Sequence, residues 1–202
     1  MDSYTRKETK QLELYFRCLS GVCLRSMLAH YYIPYEFHTS ERWLRNHAMK
    51  QALQFWSISG DASLREKIEF LLEDGYRQSY RDLHARLAPL SFAARERYVK
   101  GAEDDPDYNK LVIIQRHMTL LPSADITAIG GGWAIMLSRL GRVYRTLSKE
   151  EAWNINLRAA RLLQQHYSSW EAYFSAFAIG MYYITDDVKM RMPVKYSVMP
   201  GA

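Results

Sequence analysis

Apolar residues recur along most of the chain at intervals of three and four positions, and the alternation typical of strands is scarce. Because one helical turn takes 3.6 residues, this spacing places the apolar side chains of a segment on one face of a helix. We therefore predict an all-α fold, a compact multi-helix single domain of about eight to nine helices.

Glycine, proline and capping residues divide this pattern into helices. The first helix is predicted over Arg6–Tyr32, with Gly21 as a point of kinking or splitting, and Pro34 is expected to force Ile33 out of the helix. The later helices are predicted from Ser40 to the break at Ser59-Gly60, from Asp61 to Gly75, over Tyr76–Leu87, Ser91–Lys100 and Tyr108–Leu121, from Ser123 or Asp125 to Tyr144, and at about 149–166 and 169–184.

Three consecutive glycines, Gly130 to Gly132, lie inside the seventh predicted helix. Each costs about 1 kcal/mol relative to alanine in a helix interior. Two explanations stay open: the helix breaks at the glycines, or another helix packs very close to them.

Two capping boxes mark the starts of the last two helices. Ser148 is followed by Glu151, and Ser168 by Glu171. In each, the serine oxygen is expected to accept a hydrogen bond from the third helical amide while the glutamate reaches back. After Asp186-Asp187 the pattern fades, so we predict one helical domain over 1–187 and an extended or disordered tail over 188–202.

Composition and charge indicate which partners and which cellular compartment suit the protein. A net charge of +5 in 202 residues is mildly basic and permits attraction to an acidic partner. The two cysteines, Cys18 and Cys23, point about 140° apart on a helix, which suits neither a disulfide nor a shared metal. The N-terminus has no apolar signal segment and the uncharged run Ala172–Thr185 is too short to cross a bilayer, so we predict a cytoplasmic protein without a membrane span.

Known catalytic and metal-binding patterns are missing from the sequence. No two of the six histidines are three or four residues apart, and Asp105 to Asn109 starts like a calcium loop that Lys110 and Arg116 then break. No nucleophile elbow or phosphate-binding loop occurs. We therefore predict no catalytic residue, no metal and no cofactor.

Arginines form the most suggestive polar pattern. Arg139, Arg142 and Arg145 are spaced by three and share one broad helical face, and Arg158 and Arg161 repeat the spacing one helix later. A solvated face is the simpler interpretation. The sharper one is a partner-binding surface, because the guanidinium group pairs well with carboxylates.

Short motifs from Leu53 to Ile184 occur in a characteristic order. They are LQFWSI (Leu53–Ile58), LLEDGY (Leu71–Tyr76), SRLG (Ser138–Gly141), LSKEEAW (Leu147–Trp153), AAR (Ala159–Arg161), SWE (Ser169–Glu171) and Gly180. In these motifs the chain resembles a bacterial family known as domain of unknown function 1266. The resemblance implies a helical fold and a Gram-negative bacterial cytoplasm, and more weakly an association with genes for toxin delivery and self-protection.

The chain departs from the pattern of that family in three places. Members usually carry Trp-Asp, with an arginine three residues after the aspartate, and an arginine after the late glycine. Here Ile129-Gly130, Trp133 and Met181 occupy these positions. The comparison implies that most of any polar site built from that aspartate and the two arginines is missing, which argues against shared catalysis.

The leading functional hypothesis is a non-enzymatic protein-binding module. In its specific form it is an immunity-type protein that neutralises a cognate bacterial toxin by covering the active site, with an acidic surface on the toxin. One alternative is an enzyme of unknown type with a dispersed site, which demands a pocket near Arg139, Glu151 or Trp170. The other is a regulatory adaptor that binds nucleic acid in a salt-dependent way.

Overall fold

A computed structural model describes residues 4–24, 27–35, 42–121, 125–186 and 188. Over these residues the chain forms ten α-helices and no β-strand, which confirms the predicted all-α fold. The helices are α1 Arg6–Gly21, α2 Met27–Tyr35, α3 Arg42–Phe55, α4 Asp61–Glu73, α5 Arg77–Leu87, α6 Phe92–Lys100, α7 Tyr108–His117, α8 Thr127–Val143, α9 Lys149–His166 and α10 Trp170–Thr185.

The N-terminal helical segment differs from its prediction at both ends of α2. Gly21 does split the predicted first helix, because α1 ends there and α2 begins at Met27. The expectation that Pro34 excludes Ile33 from the helix is wrong, since α2 continues to Tyr35. Proline disfavours helical geometry in the preceding residue without forbidding it, and Arg17 Nη1 of α1 donates to the carbonyl of Pro34 at 2.7 Å.

Among the described helices, a capping side chain marks the start of α1, α6, α9 and α10. Ser148 and Glu151 form the expected capping box before α9. For α10 the expectation of a box from Ser168 is wrong, because the cap is Ser169, whose side chain accepts from the amide of Ala172. The helix begins one residue later than that box requires, so Glu171 does not occupy its third position. The expected cap at Ser40 lies outside the described residues.

Helix α8 is the centre of the molecule. Every residue from Thr127 to Gly141 is buried, and the helix contacts α1, α3, α4, α9 and α10. The three glycines do not break it. A Cβ atom on Gly130 would lie 2.1 Å from the Leu71 carbonyl oxygen of α4, and one on Gly131 would lie 2.5 Å from the Leu163 side chain of α9. Of the two explanations, close helix packing is therefore the correct one.

Helices α5, α6 and α7 complete the domain. Helix α7 contacts α5, α6 and α10, and its buried face consists of Leu111, Ile113 and Ile114. Val188 also packs against the core, and its carbonyl oxygen accepts from Arg116 Nη1 at 3.1 Å. The rest of the predicted tail, 189–202, is outside the described residues. No helix within the described ranges is both long and apolar enough to span a membrane.

Candidate functional site

A cleft of about 400 Å³ opens between α1, α8 and the first half of α9. Its volume falls in the range of about 300–1,000 Å³ that is usual for ligand sites. We call it the arginine cleft. It is lined by Glu13, Arg139, Arg142, Val143, Lys149, Ala152, Trp153 and Asn156.

Arg139 forms the deepest charge of the arginine cleft. Its side chain is only 5% exposed, because α8 is enclosed by other helices over most of its length. Arg139 Nη1 donates to Glu13 Oε2 of α1 at 2.8 Å, and the Glu13 side chain is 39% exposed. A buried charge requires a partner to offset the loss of water, so Arg139 is the more tightly held member of this pair.

Two further cations lie nearer the entrance. Arg142 is exposed and its Nη1 donates to the carbonyl of Leu147 at 3.3 Å, which ties the end of α8 to the turn before α9. Lys149 is the first residue of α9, so the capping box at Ser148 fixes the position of its backbone. Among the described lining residues, three are cationic and Glu13 alone is acidic. The cleft is therefore electropositive and suits an anionic group.

Asn156 is the buried neutral polar residue of the cleft wall. It is 4% exposed, and its Oδ1 accepts no hydrogen bond from the described residues. An amide carries both donors and an acceptor, and burying one of these groups without a partner costs about 1–3 kcal/mol. A buried polar side chain on the wall of a cleft is a candidate contact for a bound ligand.

The structure brings only two of the five arginines predicted to bind a partner into one site. Arg139 and Arg142 both line the cleft. The prediction that Arg145 shares their helical face is wrong, because α8 ends at Val143 and Arg145 lies in the following turn with φ of 62°.

The two arginines of α9 lie away from the cleft lining. Arg158 is engaged on the surface, where both of its terminal nitrogens donate to the carboxylate of Glu69 at 3.0 Å. Arg161 is exposed on the same helix. Their role in partner binding stays a prediction.

Sequence reasoning missed Glu13, Lys149 and Asn156. Glu13 meets Arg139 across 126 positions of the chain, and no local pattern reports such a contact. Asn156 did have a signal. It follows Ala152 by four residues and precedes Ala159 by three, so it lies on the buried face of α9. A polar residue at a position that helical spacing assigns to the core is a candidate site residue.

A second cavity of about 240 Å³ lies where α1 meets the turn between α9 and α10. Its walls include Tyr15, Tyr167, Trp170 and Tyr173. The rings of Tyr15 and Trp170, and those of Trp170 and Tyr173, meet edge to face with centroids 5.8 and 6.1 Å apart. Such distances are those of rings in direct contact, so these rings pack against one another while Trp170 stays 44% exposed.

The cysteines and the acidic residues show no metal-binding arrangement in the described ranges. No group of three or more histidine, cysteine, aspartate or glutamate side chains there is placed to hold an ion. Cys18 and Cys23 are both free thiols. Burial raises the pKa of Cys23 well above its usual value, which keeps this thiol protonated and unreactive.

Two of the positions at which the chain departs from the family pattern, Trp133 and Met181, contact each other. The indole Nε1 of Trp133 donates to the Sδ atom of Met181 at 3.5 Å, so α8 and α10 contact each other through these two residues. Gly130, one turn before Trp133, lies against the backbone of α4. At these positions the chain therefore has helix packing and no charged group.

Comparison with known proteins places the chain in a family whose function is open. No curated protein and no solved structure matches it. A match to the family described as "Protein of unknown function (DUF1266)" covers residues 53–199, which is well over half of the chain. The chain therefore belongs to the DUF1266 family.

Proposed function

We propose that the protein is a non-enzymatic binding module that receives an acidic group of a protein partner in the arginine cleft. The observation that carries the proposal is the buried guanidinium of Arg139 with two more cations, Arg142 and Lys149, beside it. Arginine presents a planar set of donors that matches a carboxylate. A low local dielectric strengthens that attraction relative to the same pair in water.

The surroundings of the cleft favour a protein as the partner. Val143 lines the cleft and is 41% exposed, and the neighbouring Tyr144 is 49% exposed. Protein interfaces are enriched in tyrosine and arginine around a desolvated centre. A partner that inserts an acidic side chain gains apolar contact with these two residues as well.

The most specific form of the proposal is an immunity-type protein in the cytoplasm of a bacterium. Its partner is a toxin encoded by a neighbouring gene, and the mechanism is coverage of the toxin active site. The support for this form is the association of the resembling family with genes for toxin delivery and self-protection.

Co-expression with the products of adjacent genes tests the proposal. The protein is expected to co-purify with one of them and to rescue growth when that product is toxic. The double variant R142Q/K149Q removes two exposed cations and is expected to weaken the complex by at least about tenfold, since each step of 1.4 kcal/mol is a factor of ten. Arg97 of α6 is exposed and outside the cleft, so R97Q/K100Q is the control with the same change in charge.

Two outcomes overturn the proposal. One is that no neighbouring gene product binds the protein. The other is that R97Q/K100Q weakens the complex as much as R142Q/K149Q does. That result would mean that the partner responds to the net charge of the protein and not to the cleft.

An enzyme with a dispersed site is the second candidate, because the cleft is a pocket at Arg139 with converging polar groups. Glu13 and Lys149 lie in its wall as groups able to carry protons. Incubation of the protein with its co-purifying partner, followed by intact mass measurement of that partner, separates the two candidates. A partner of unchanged mass favours binding, and a partner cleaved or modified in proportion to time favours catalysis.

A further inference from the structure

We propose that the group bound by the arginine cleft is a carboxylate and that Glu13 of α1 occupies its position until the partner arrives. This inference rests on the proposed function and adds to it the chemistry of the ligand and an internal competitor. The juxtaposition that carries it is the Glu13 carboxylate on the buried guanidinium of Arg139, at 2.8 Å.

The two charges come from different parts of the chain. Arg139 lies in the region 53–199 that matches the family, whereas α1 precedes that region. Helix α1 is fixed beside the cleft by Phe16, which is fully buried and meets the ring of Trp153 edge to face at 5.5 Å. The Glu13 carboxylate is therefore delivered to Arg139 by a well-anchored helix, and it marks a position where a carboxylate fits.

The difference in burial between the two partners decides which one leaves. Glu13 is 39% exposed and reaches the cleft from its edge, so a rotation of its side chain moves the carboxylate into water. Arg139 is 5% exposed and stays in place. An incoming carboxylate then accepts from Arg139 while α1 remains docked. The exchange replaces one ion pair with another and leaves no buried charge unpaired.

Asn156 adds a hydrogen-bonding group to the cleft, which bears on whether a protein carboxylate or a free anion fits there. Its Oδ1 accepts no hydrogen bond from the described residues, and rotation of the amide presents either its donors or its acceptor to the cleft. An aspartate or glutamate side chain of a protein comes with backbone N–H groups nearby that can donate to this acceptor. Inorganic phosphate shares the negative charge and can donate to the Asn156 oxygen only through its own O–H group, so competition by phosphate tests this assignment.

Binding of an unlabelled peptide of alternating glycine, aspartate and glutamate to the full chain, measured by titration calorimetry, tests the inference. E13Q removes the competing charge at almost constant shape and is expected to bind the peptide about tenfold more tightly than the unmodified protein. E13D, with a shorter reach to Arg139, is expected to fall between the two. Glu96 of α6 is exposed and outside the cleft, so E96Q is the control for charge and is expected to bind as the unmodified protein does.

The outcomes separate the inference from the function on which it rests. Weaker binding by R142Q, with E13Q equal to E96Q, overturns the competition by Glu13 and leaves the cleft as the binding site. No binding in any variant, or equal binding by R142Q and the unmodified protein, overturns both. Displacement of the peptide by inorganic phosphate more readily than by succinate, or equal binding of an asparagine and glutamine version of the peptide, overturns the assignment of a carboxylate. Thermal unfolding of each variant confirms that α1 and the core remain folded.

Discussion

At the scale of single residues, replacing Asn156 is expected to change folding stability and partner binding in opposite directions. Its buried Oδ1 lacks a donor among the described groups, so N156L, which has the same branched shape and is somewhat larger, is expected to raise the free energy of unfolding by about 1 kcal/mol. The same change is expected to weaken partner binding. Urea denaturation and a binding titration measure the two effects.

The control for this change is a residue of the same type on the same helix. Asn154 is exposed on α9, so N154L reports the gain in helix propensity alone. A loss of stability in N156L, after correction by N154L, would show that the amide is satisfied and structural.

Burial of Arg139 is the residue-scale feature that sequence reasoning placed wrongly. The three-residue spacing between Arg139 and Arg142 favoured a helical face exposed to solvent or to a partner. The signal for burial was the composition of α8, where nearly every residue from Ile126 to Leu140 is apolar or small. A helix that is apolar on all sides is enclosed, so Arg139, the one arginine between Ile126 and Leu140, is expected to be buried. The contact with Glu13 was beyond prediction, since periodicity describes each helix separately.

At the scale of helices, the approach of α8 to α4 is expected to tolerate no side chain at Gly130. The Cβ atom of G130A would lie 2.1 Å from the Leu71 carbonyl oxygen, which is backbone and cannot move alone. We expect a loss of at least about 3 kcal/mol in the free energy of unfolding. Gly101 has an ordinary helical φ of −83° and 3.4 Å of space, so G101A is expected to change stability by less than about 1 kcal/mol. Equal effects of the two variants would contradict the packing argument.

The capping box of α9 predicts a dependence of stability on pH. The backbone amide of Ser148 donates to Glu151 at 2.7 Å, and this bond, with help from the Ser148 hydroxyl and Arg65, lowers the pKa of Glu151 below its ordinary 4.5. A carboxylate with a lowered pKa stabilises the folded state above the unfolded pKa and loses that effect as pH falls through the folded one. Unmodified protein is therefore expected to exceed E151Q in stability at neutral pH. The difference should vanish in acid, and one that persists below the lowered pKa would rule out this origin.

Helix existence was largely predictable, and helix boundaries near unusual residues were not. Side-chain caps and apolar spacing determine α6 and α9, and apolar spacing alone determines α8, which has no side-chain cap. All three lie within their predicted segments. The error at Pro34 arose because the steric bias against a helical residue before proline is only a preference, and α2 continues through Ile33 to Tyr35. Whether such a preference is overcome depends on packing in the assembled fold, and the sequence of one segment does not report that packing.

At the scale of the whole molecule, α1 is expected to be an integral part of the core. Phe16 is fully buried, so F16A is expected to lower the free energy of unfolding by about 3–5 kcal/mol. Hydrogen exchange is expected to become faster first in the amides of α1. L14A on the exposed side of the same helix is the control. Unchanged exchange in α1 of F16A would show that the helix is held elsewhere.

The burial of α8 on all sides also has a consequence for how the protein is made. A segment with three glycines gains little from helix formation alone, and two of its neighbours, α9 and α10, follow it in the chain. A ribosome that has released residues only as far as Tyr144 holds an apolar segment that α1, α3 and α4 can cover but whose faces toward α9 and α10 are open. Stalling there should yield a nascent chain that binds chaperones, whereas release beyond Thr185 should yield a protease-resistant one.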